Sequence, residues 1–308
     1  MGADNLRGVA LMLGAMALFA LEDMFLKWAA LGLPTGELVF VAGIFGMPFF
    51  AVLARREGGR LFGPGLRHPA VIARNLGEMV GSLGYITALA TVPLSTVAAV
   101  LQAMPLVVTM AAALFMQAQV GWRRWSAITV GLLGVLLVVQ PGTDGFRPQA
   151  MWVLVTVLAL TLRDLATRAI PPGMSNALIS AWGLGSVALL GFGMMLVQGY
   201  LGLGQAAVPS GFQAALLTGA VVFGAAGYWA ITAAARTGEV AVVAPFRYSR
   251  LLFAMVIGML VFAEFPDRLT MAGAALIMLS GLYSFARERA RGRAEARAQS
   301  LSLANAAR

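Results

Sequence analysis

Cysteine is absent from all 308 residues, which excludes disulfides, thiolate metal sites and cysteine nucleophiles. Histidine occurs once, at His68 beside Pro69, and no group of His, Asp and Glu has metal-ligand spacing. A nucleotide-binding loop and a Gly-x-Ser-x-Gly elbow are missing too, so nothing points to an enzyme, and no metal or cofactor is expected. Charge is scarce: only 11% of residues are Asp, Glu, Lys or Arg, where a soluble domain carries about a quarter. Lysine is almost missing, with Lys27 standing against 21 arginines, and the net charge is +9. In a soluble protein that excess would suggest nucleic acid. Here the arginines lie mostly between apolar runs, so they read as topology signals and no nucleic-acid partner is expected.

Apolar residues make up 60% of the chain and the mean hydropathy is +0.83, the composition of a polytopic membrane protein. Arg7 and the run from Gly8 to Ala20 mimic a signal peptide. The apolar character continues past Glu22 and Asp23 to Leu33, too long for one, so this is a retained first span.

Ten stretches approach the ~20 residues needed to cross ~30 Å of hydrocarbon. They are 7–31, 36–54, 70–91, 95–118, 125–141, 149–169, 176–198, 212–235, 239–263 and 269–286. Arginines crowd alternate connections: Arg55, Arg56, Arg60 and Arg67; Arg123 and Arg124; Arg236; and Arg287, Arg289, Arg291, Arg293 and Arg297. The opposite connections hold Glu37, Asp144 with Arg147, and Asp267 with Arg268, while 92–94 and 199–211 carry no base. The positive-inside rule puts both termini and the basic loops in the cytoplasm of a bacterial-type cell with the protein in its cytoplasmic membrane. The segment 287–308 reads as a mobile basic tail that favours anionic lipid.

The chain is also duplicated. A shift of 143 brings Gly81, Gly84-Tyr85 and Ala90 onto Gly224, Gly227-Tyr228 and Ala233, and it sets Glu264 against Gly121. A shift of 141 brings Leu21, Asp23 and Lys27 onto Leu162, Asp164 and Arg168. Each half, 1–141 and 142–286, holds five spans; the odd number forces the second copy into the membrane upside down. The expected fold is therefore all-α and integral to the membrane: ten helices in two inverted five-helix repeats around a central cavity.

These repeats, with the ninth span ending Gly258-Met-Leu-Val-Phe-Ala-Glu264, the following Leu269-Thr270, and Gly273 and Gly281 in the last span, resemble the EamA-type members of the drug/metabolite transporter superfamily over about residues 7–286. The resemblance implies ten helices, cytoplasmic termini, a central cavity and, most often, efflux of small metabolites.

Charges inside spans mark candidate functional residues, because a bare charge at the bilayer centre costs about 2.5 kcal/mol or more. Arg74 and Glu78 are four apart and share a helix face with Tyr85, as a structural pair or as a proton or substrate site. The ninth span carries Pro245, Arg247, Tyr248 and Arg250, with the arginines ~12 and ~17 Å deep. Pro245 predicts a kink, and Gln102 with Pro105 takes the corresponding place in the fourth span. Tyr228 and Trp229 join Tyr85 and Tyr248 as aromatics at this level, either packing or stacking on a flat substrate. Asp23, Lys27, Asp164 and Arg168 are candidate gate charges, one set at each mouth. Six bases (Lys27, Arg74, Arg163, Arg168, Arg247, Arg250) face four acids (Glu22, Asp23, Glu78, Asp164), which favours a ligand with a carboxylate unless Glu78 or Asp164 neutralises the two deep arginines. Gly77, Gly81 and Gly84, and Gly224 and Gly227, predict smooth faces for close helix contact.

The expected activity is secondary transport: export of an amino acid, aromatic ones included, by alternating access, with a flavin or an S-adenosylmethionine-like metabolite as the alternative cargo in uptake or exchange. A channel or a membrane enzyme is the competing class. The expected partners are the bilayer and the small substrate, with the protein a monomer or weak dimer.

Overall fold

A computed structural model describes residues 3–143, 146–201 and 209–306, without the side chains of 3, 240, 241, 288 and 291–306. Asp144, the stretch 202–208 and the side chains of Arg291, Arg293 and Arg297 therefore lie outside the described residues. Twelve helices follow in order: α1 (Ala3–Ala29), α2 (Thr35–Arg56), α3 (Pro69–Thr91), α4 (Leu94–Leu101), α5 (Met104–Phe115), α6 (Trp122–Val139), α7 (Met151–Arg168), α8 (Asn176–Tyr200), α9 (Gly211–Thr237), α10 (Val240–Val243), α11 (Ser249–Phe262) and α12 (Arg268–Ala306). There is no strand among the described residues.

Nine helical stretches among the described residues are long and apolar enough to cross a membrane, with α4 and α5 taken together. The third expected span, α3, is 23 residues long but is diluted by Arg74, Asn75 and Glu78. The last span was expected to end at 286 in a mobile tail; its helix runs on to Ala306. Large apolar side chains such as Leu114, Leu158, Leu189, Leu260 and Leu279 face outward, the reverse of a soluble surface and suited to lipid.

Local chemistry sets the helix boundaries. Ser210 and Gln213 close a reciprocal capping box on α9, and Ser175 Oγ accepts from Leu178 N at the start of α8. His68 has a local use: its Nδ1 accepts from Ala70 N at 3.2 Å, and Pro69 opens α3 where its missing N–H costs nothing. The fourth span breaks at 102–103, just before Pro105. The ninth breaks into α10, a 3-10 turn over Ala244–Tyr248 that contains Pro245, and α11. Each proline lacks the N–H that an uninterrupted helix would need.

Four extensive pairings build the bundle: α1 with α9, α2 with α8, α3 with α7 and α6 with α12; α4 also packs on α11. Exchange every helix of the first half for its counterpart in the second and this set maps onto itself. Glycines permit the closest approaches. A β-carbon at Gly77 would fall 2.7 Å from the Ala159 carbonyl oxygen of α7, and one at Gly227 would fall 3.0 Å from the Phe19 ring of α1. Association in lipid relies on such packing, because there is no water to expel between helices.

The structure also corrects one repeat match. Gln117 after α5 and Ala263 after α11 both take left-handed backbone, at φ 56° and 53°. The next residue donates back six positions in each case, Ala118 N to Ala112 O and Glu264 N to Gly258 O. The counterpart of Glu264 is therefore Ala118 rather than Gly121, because the helix breaks before it differ in length.

Candidate substrate and ion pathway

Two charged clusters lie within the bundle. The first joins α1, α3 and α11. Arg250 grips Asp23 with Nη2 at 2.8 Å from both carboxylate oxygens and Nε at 3.2 Å from Oδ2. The same Nη2 donates to the Tyr85 hydroxyl at 2.8 Å, and Tyr85 in turn donates to Asp23 Oδ1. The guanidinium lies 5.4 Å from the centre of the Phe19 ring. Asp23 is 2% exposed, so this pair is held away from solvent. Arg250 is thus neutralised by Asp23, and not by Glu78 or Asp164, the two acids the sequence offered as the alternative to a ligand.

The second cluster joins α3 and α7. Glu78 takes Arg74 at 3.2 Å, as the i,i+4 spacing predicts, and also Arg163 at 3.3 Å. Arg163 reaches its neighbour Asp164 at 2.8 Å. Arg74 lies against Gly183 of α8, where a β-carbon would fall 2.2 Å from Nη1; only a glycine leaves room for this guanidinium.

Arg247 lies between the clusters, where Asp164, Arg250, Tyr248 and Arg163 are the groups whose charge it feels. Its guanidinium makes no hydrogen bond or ion pair among the described residues, and the residue is exposed. Gln102 Nε2 donates to the Arg247 carbonyl at 3.2 Å, so the two helix breaks touch. The backbone acceptor at the ninth-span break is in this way satisfied by a side chain from the fourth. Tyr248 is 8% exposed and its hydroxyl abuts Gly281 of α12, which makes it a wall of the bundle. Tyr228 stands edge-on to Phe50 of α2, with ring centres 4.9 Å apart, and Trp229 faces outward at 66% exposure. Neither joins Tyr85 beside Arg250.

The two mouths differ. Lys27 Nζ binds Glu264 Oε1 at 2.8 Å and the Val92 carbonyl at 2.6 Å, while Glu264 Oε2 accepts from Leu94 N and caps α4. Three segments are thereby tied at one end. At the other end Arg168 is exposed and Ala118 occupies the place of the acid. With Glu264 added, the intramembrane inventory becomes six bases and five acids.

Outside the Lys27–Glu264 tie, a cavity of about 590 Å³ opens between Pro93, Ser95, Thr96, Gln140, Arg147 and Asp267. Asp267 caps α12 by accepting from Thr270 N at 2.6 Å and also accepts from Gln140 Nε2 at 2.6 Å. Slight burial opposes its charge, but these hydrogen bonds outweigh that and hold its carboxyl below the ordinary 3.8.

Sequence reasoning did not single out Glu264 as the partner of Lys27, Arg163 as the bridge to Glu78, or Phe19 beneath Arg250. Glu264 carried a signal: it is the acid at the end of the ninth span that its repeat partner lacks.

Residues 6–140 match the EamA-like transporter family. The chain is 27% identical over 281 residues to a riboflavin transporter of Rhizobium johnstonii, covering 89% of each chain. It is 24% identical over 215 residues to an S-adenosylmethionine uptake transporter of Rickettsia felis, covering 69% of this chain and 70% of the relative. It is 25% identical over 275 residues to a pseudopaline exporter of Pseudomonas aeruginosa, covering 89% and 94%. A solved structure of 16% identity superposes with a TM-score of 0.56 over 92% of this chain and 97% of its own, which supports the same fold. The family matched over residues 6–140 is the one that the sequence resembles.

Proposed function

We propose that the chain is a secondary transporter of a small carboxylate-bearing metabolite, working by alternating access across a bacterial-type cytoplasmic membrane. Its ten spans, α3 among them, form two inverted five-helix halves with both termini in the cytoplasm. The self-mapping helix pairs support the inverted repeat, and the alternation of arginines supports the orientation. In that orientation the Lys27–Glu264 tie closes the outer mouth and the Arg168 end opens inward. Asp23 and Arg250, Arg74 and Glu78, and Asp164 serve as the ion pairs between which the halves rock.

One observation carries the substrate reading: Arg247 is an exposed guanidinium without a partner among the described residues, at the point where both helix breaks meet. An unpaired cation there is stabilised by a carboxylate brought by the ligand. Tyr85 and Gln102 line the approach. The relatives favour a heteroaromatic metabolite such as S-adenosylmethionine, whose amino-acid head would present its carboxylate to Arg247. Export of an amino acid is the second reading. It is favoured by the half-exposed Asp164 near Arg247, which suits an ammonium beside a carboxylate.

The purified protein is tested by thermal shift with S-adenosylmethionine, riboflavin and aromatic amino acids, followed by counterflow in proteoliposomes. A carboxylate-bearing ligand should stabilise the wild type and not Arg247→Ala. Riboflavin has no carboxylate, so stabilisation by riboflavin alone, equal in both proteins, would remove Arg247 from the site. Non-saturating conductance in the proteoliposomes would replace the transporter with a channel.

A further inference from the structure

Of the five acids Glu22, Asp23, Glu78, Asp164 and Glu264, four have a cation in contact: Asp23 has Arg250, Glu78 has Arg74 and Arg163, Asp164 has Arg163, and Glu264 has Lys27. Glu22 is the exception. It makes no hydrogen bond or ion pair among the described residues, although it adjoins the Asp23–Arg250 pair and feels both charges. Its carboxyl is pressed against α9 at Gly224. A β-carbon there would fall 2.6 Å from Oε1, 2.8 Å from Cδ and 3.2 Å from Oε2. The second half treats the same place differently: Arg163, the counterpart of Glu22, binds Glu78.

The surroundings contain few groups that could offset the carboxyl. Asp23 on its own helix, Arg250 on α11 and Tyr85 on α3 are the titratable or charged groups around it, and Asp23 already engages the other two. At this level α9 supplies Gly224, and α10 has no titratable residue. In the following 3-10 turn, which also touches α1, Arg247 is exposed and Tyr248 abuts Gly281. Lys27, one turn on, is held by Glu264.

We propose that Glu22 is a proton-exchanging site. On the transporter reading above, on which this role rests, it couples transport to the proton gradient. Its carboxyl oxygen forms an O–H bond with a proton from water on one side of the membrane. After the halves have rocked, that bond breaks and the proton passes to water on the other side, with no electrons transferred. A carboxyl in a low-dielectric site without a cation can be neutralised only by a proton. With the proton bound, the Asp23–Arg250 pair is left undisturbed. Without it, a second negative charge on the adjacent residue competes for Arg250, which links protonation to the pair that ties α1 to α11.

Infrared spectroscopy on the full-length protein in liposomes tests this without any transported substrate. Across a pH titration the wild type should show a deuterium-sensitive C=O stretch of a protonated carboxyl that disappears at alkaline pH. Glu22→Gln should lose that band and Glu78→Gln should keep it. Gly224→Ala should shift its frequency, because the added methyl displaces the carboxyl; this variant decides the matter if Glu22→Gln does not fold. A band that persists in Glu22→Gln, a wild type without a titrating carboxyl band, or an unshifted band in Gly224→Ala would overturn the proposal. Loss of counterflow would instead count against the transport reading, so the two failures are distinguishable.

Discussion

The charged turn of α1 and that of α7 share a spacing, Asp23 with Lys27 and Asp164 with Arg168, yet they meet different fates. Asp23 reaches across to Arg250 and Tyr85 and is buried; Asp164 pairs with its neighbour Arg163 and is 36% exposed at the side chain. Lys27 is locked by Glu264, whereas Arg168 is exposed and the repeat position of that acid holds Ala118. The lesson is that a duplicated motif supplies the charges while the second element decides which of them close. On the proposed transport reading, one tied end and one untied end would suit a single state of alternating access.

The largest expected effect separates the two aspartates. Asp23→Ala strands Arg250 and should cost about 3–5 kcal/mol, as for a broken buried pair. Asp164→Ala should cost about 0–1 kcal/mol, because its site is half open and Arg163 keeps Glu78. Thermal unfolding in detergent measures both, and equal losses would erase the distinction. Asp23→Ala combined with Arg250→Ala should recover much of the first loss.

Helix contacts sharpen the same comparison. Gly77→Ala drives a methyl into the α7 backbone, which cannot yield, and should destabilise by about 1–3 kcal/mol. Gly227→Ala meets the Phe19 ring, which can rotate, and should cost less. The reverse order would show that α1 is held more rigidly than α7.

The mouths can be exchanged by single substitutions. Because native cysteine is absent, Thr96→Cys gives a unique thiol beside the sealed end. Adding Glu264→Gln should raise its rate of maleimide labelling several-fold by releasing Lys27. Ala118→Glu should install the missing acid opposite Arg168 and slow labelling of a cysteine at the open end. An unchanged rate in both would mean that the Lys27 tie does not control access.

The smallest effect concerns pH at Asp267. Its folded carboxyl lies below the unfolded value, so its contribution to stability is present above about 3.8 and is lost as pH falls through the lower folded value. Asp267→Asn removes this contribution. The Tm gap between wild type and variant should be widest near neutrality and close on acidification; a constant gap would exclude the linkage.

Much of the architecture was legible in the sequence. Apolar length marked the spans, prolines at 105 and 245 marked both breaks, and the glycines on α3 and α9 marked the faces that meet α7 and α1. The i,i+4 pair of Arg74 and Glu78 was also readable, since helical spacing alone brings the two together. The partner of Lys27 was not, because the longer helix break before Glu264 shifts the repeat register by three residues. The same limitation hid the isolation of Glu22: the absence of a partner is visible only once every neighbouring helix is in place.

The sequence by itself determined what each segment is. In lipid a span must satisfy its backbone internally, so length, hydropathy and proline position dictate helix and break without reference to anything distant. Tertiary structure decided which charges meet. Asp23 and Arg250 lie 227 residues apart, and nothing in local spacing chooses Asp23 over Glu78 or Asp164 for that arginine. The choice falls to packing, because ion pairs act over a few ångströms, and only the seating of α1 against α11 brings this aspartate within reach, while the Arg247 guanidinium and the Glu22 carboxyl make no hydrogen bond or ion pair among the described residues.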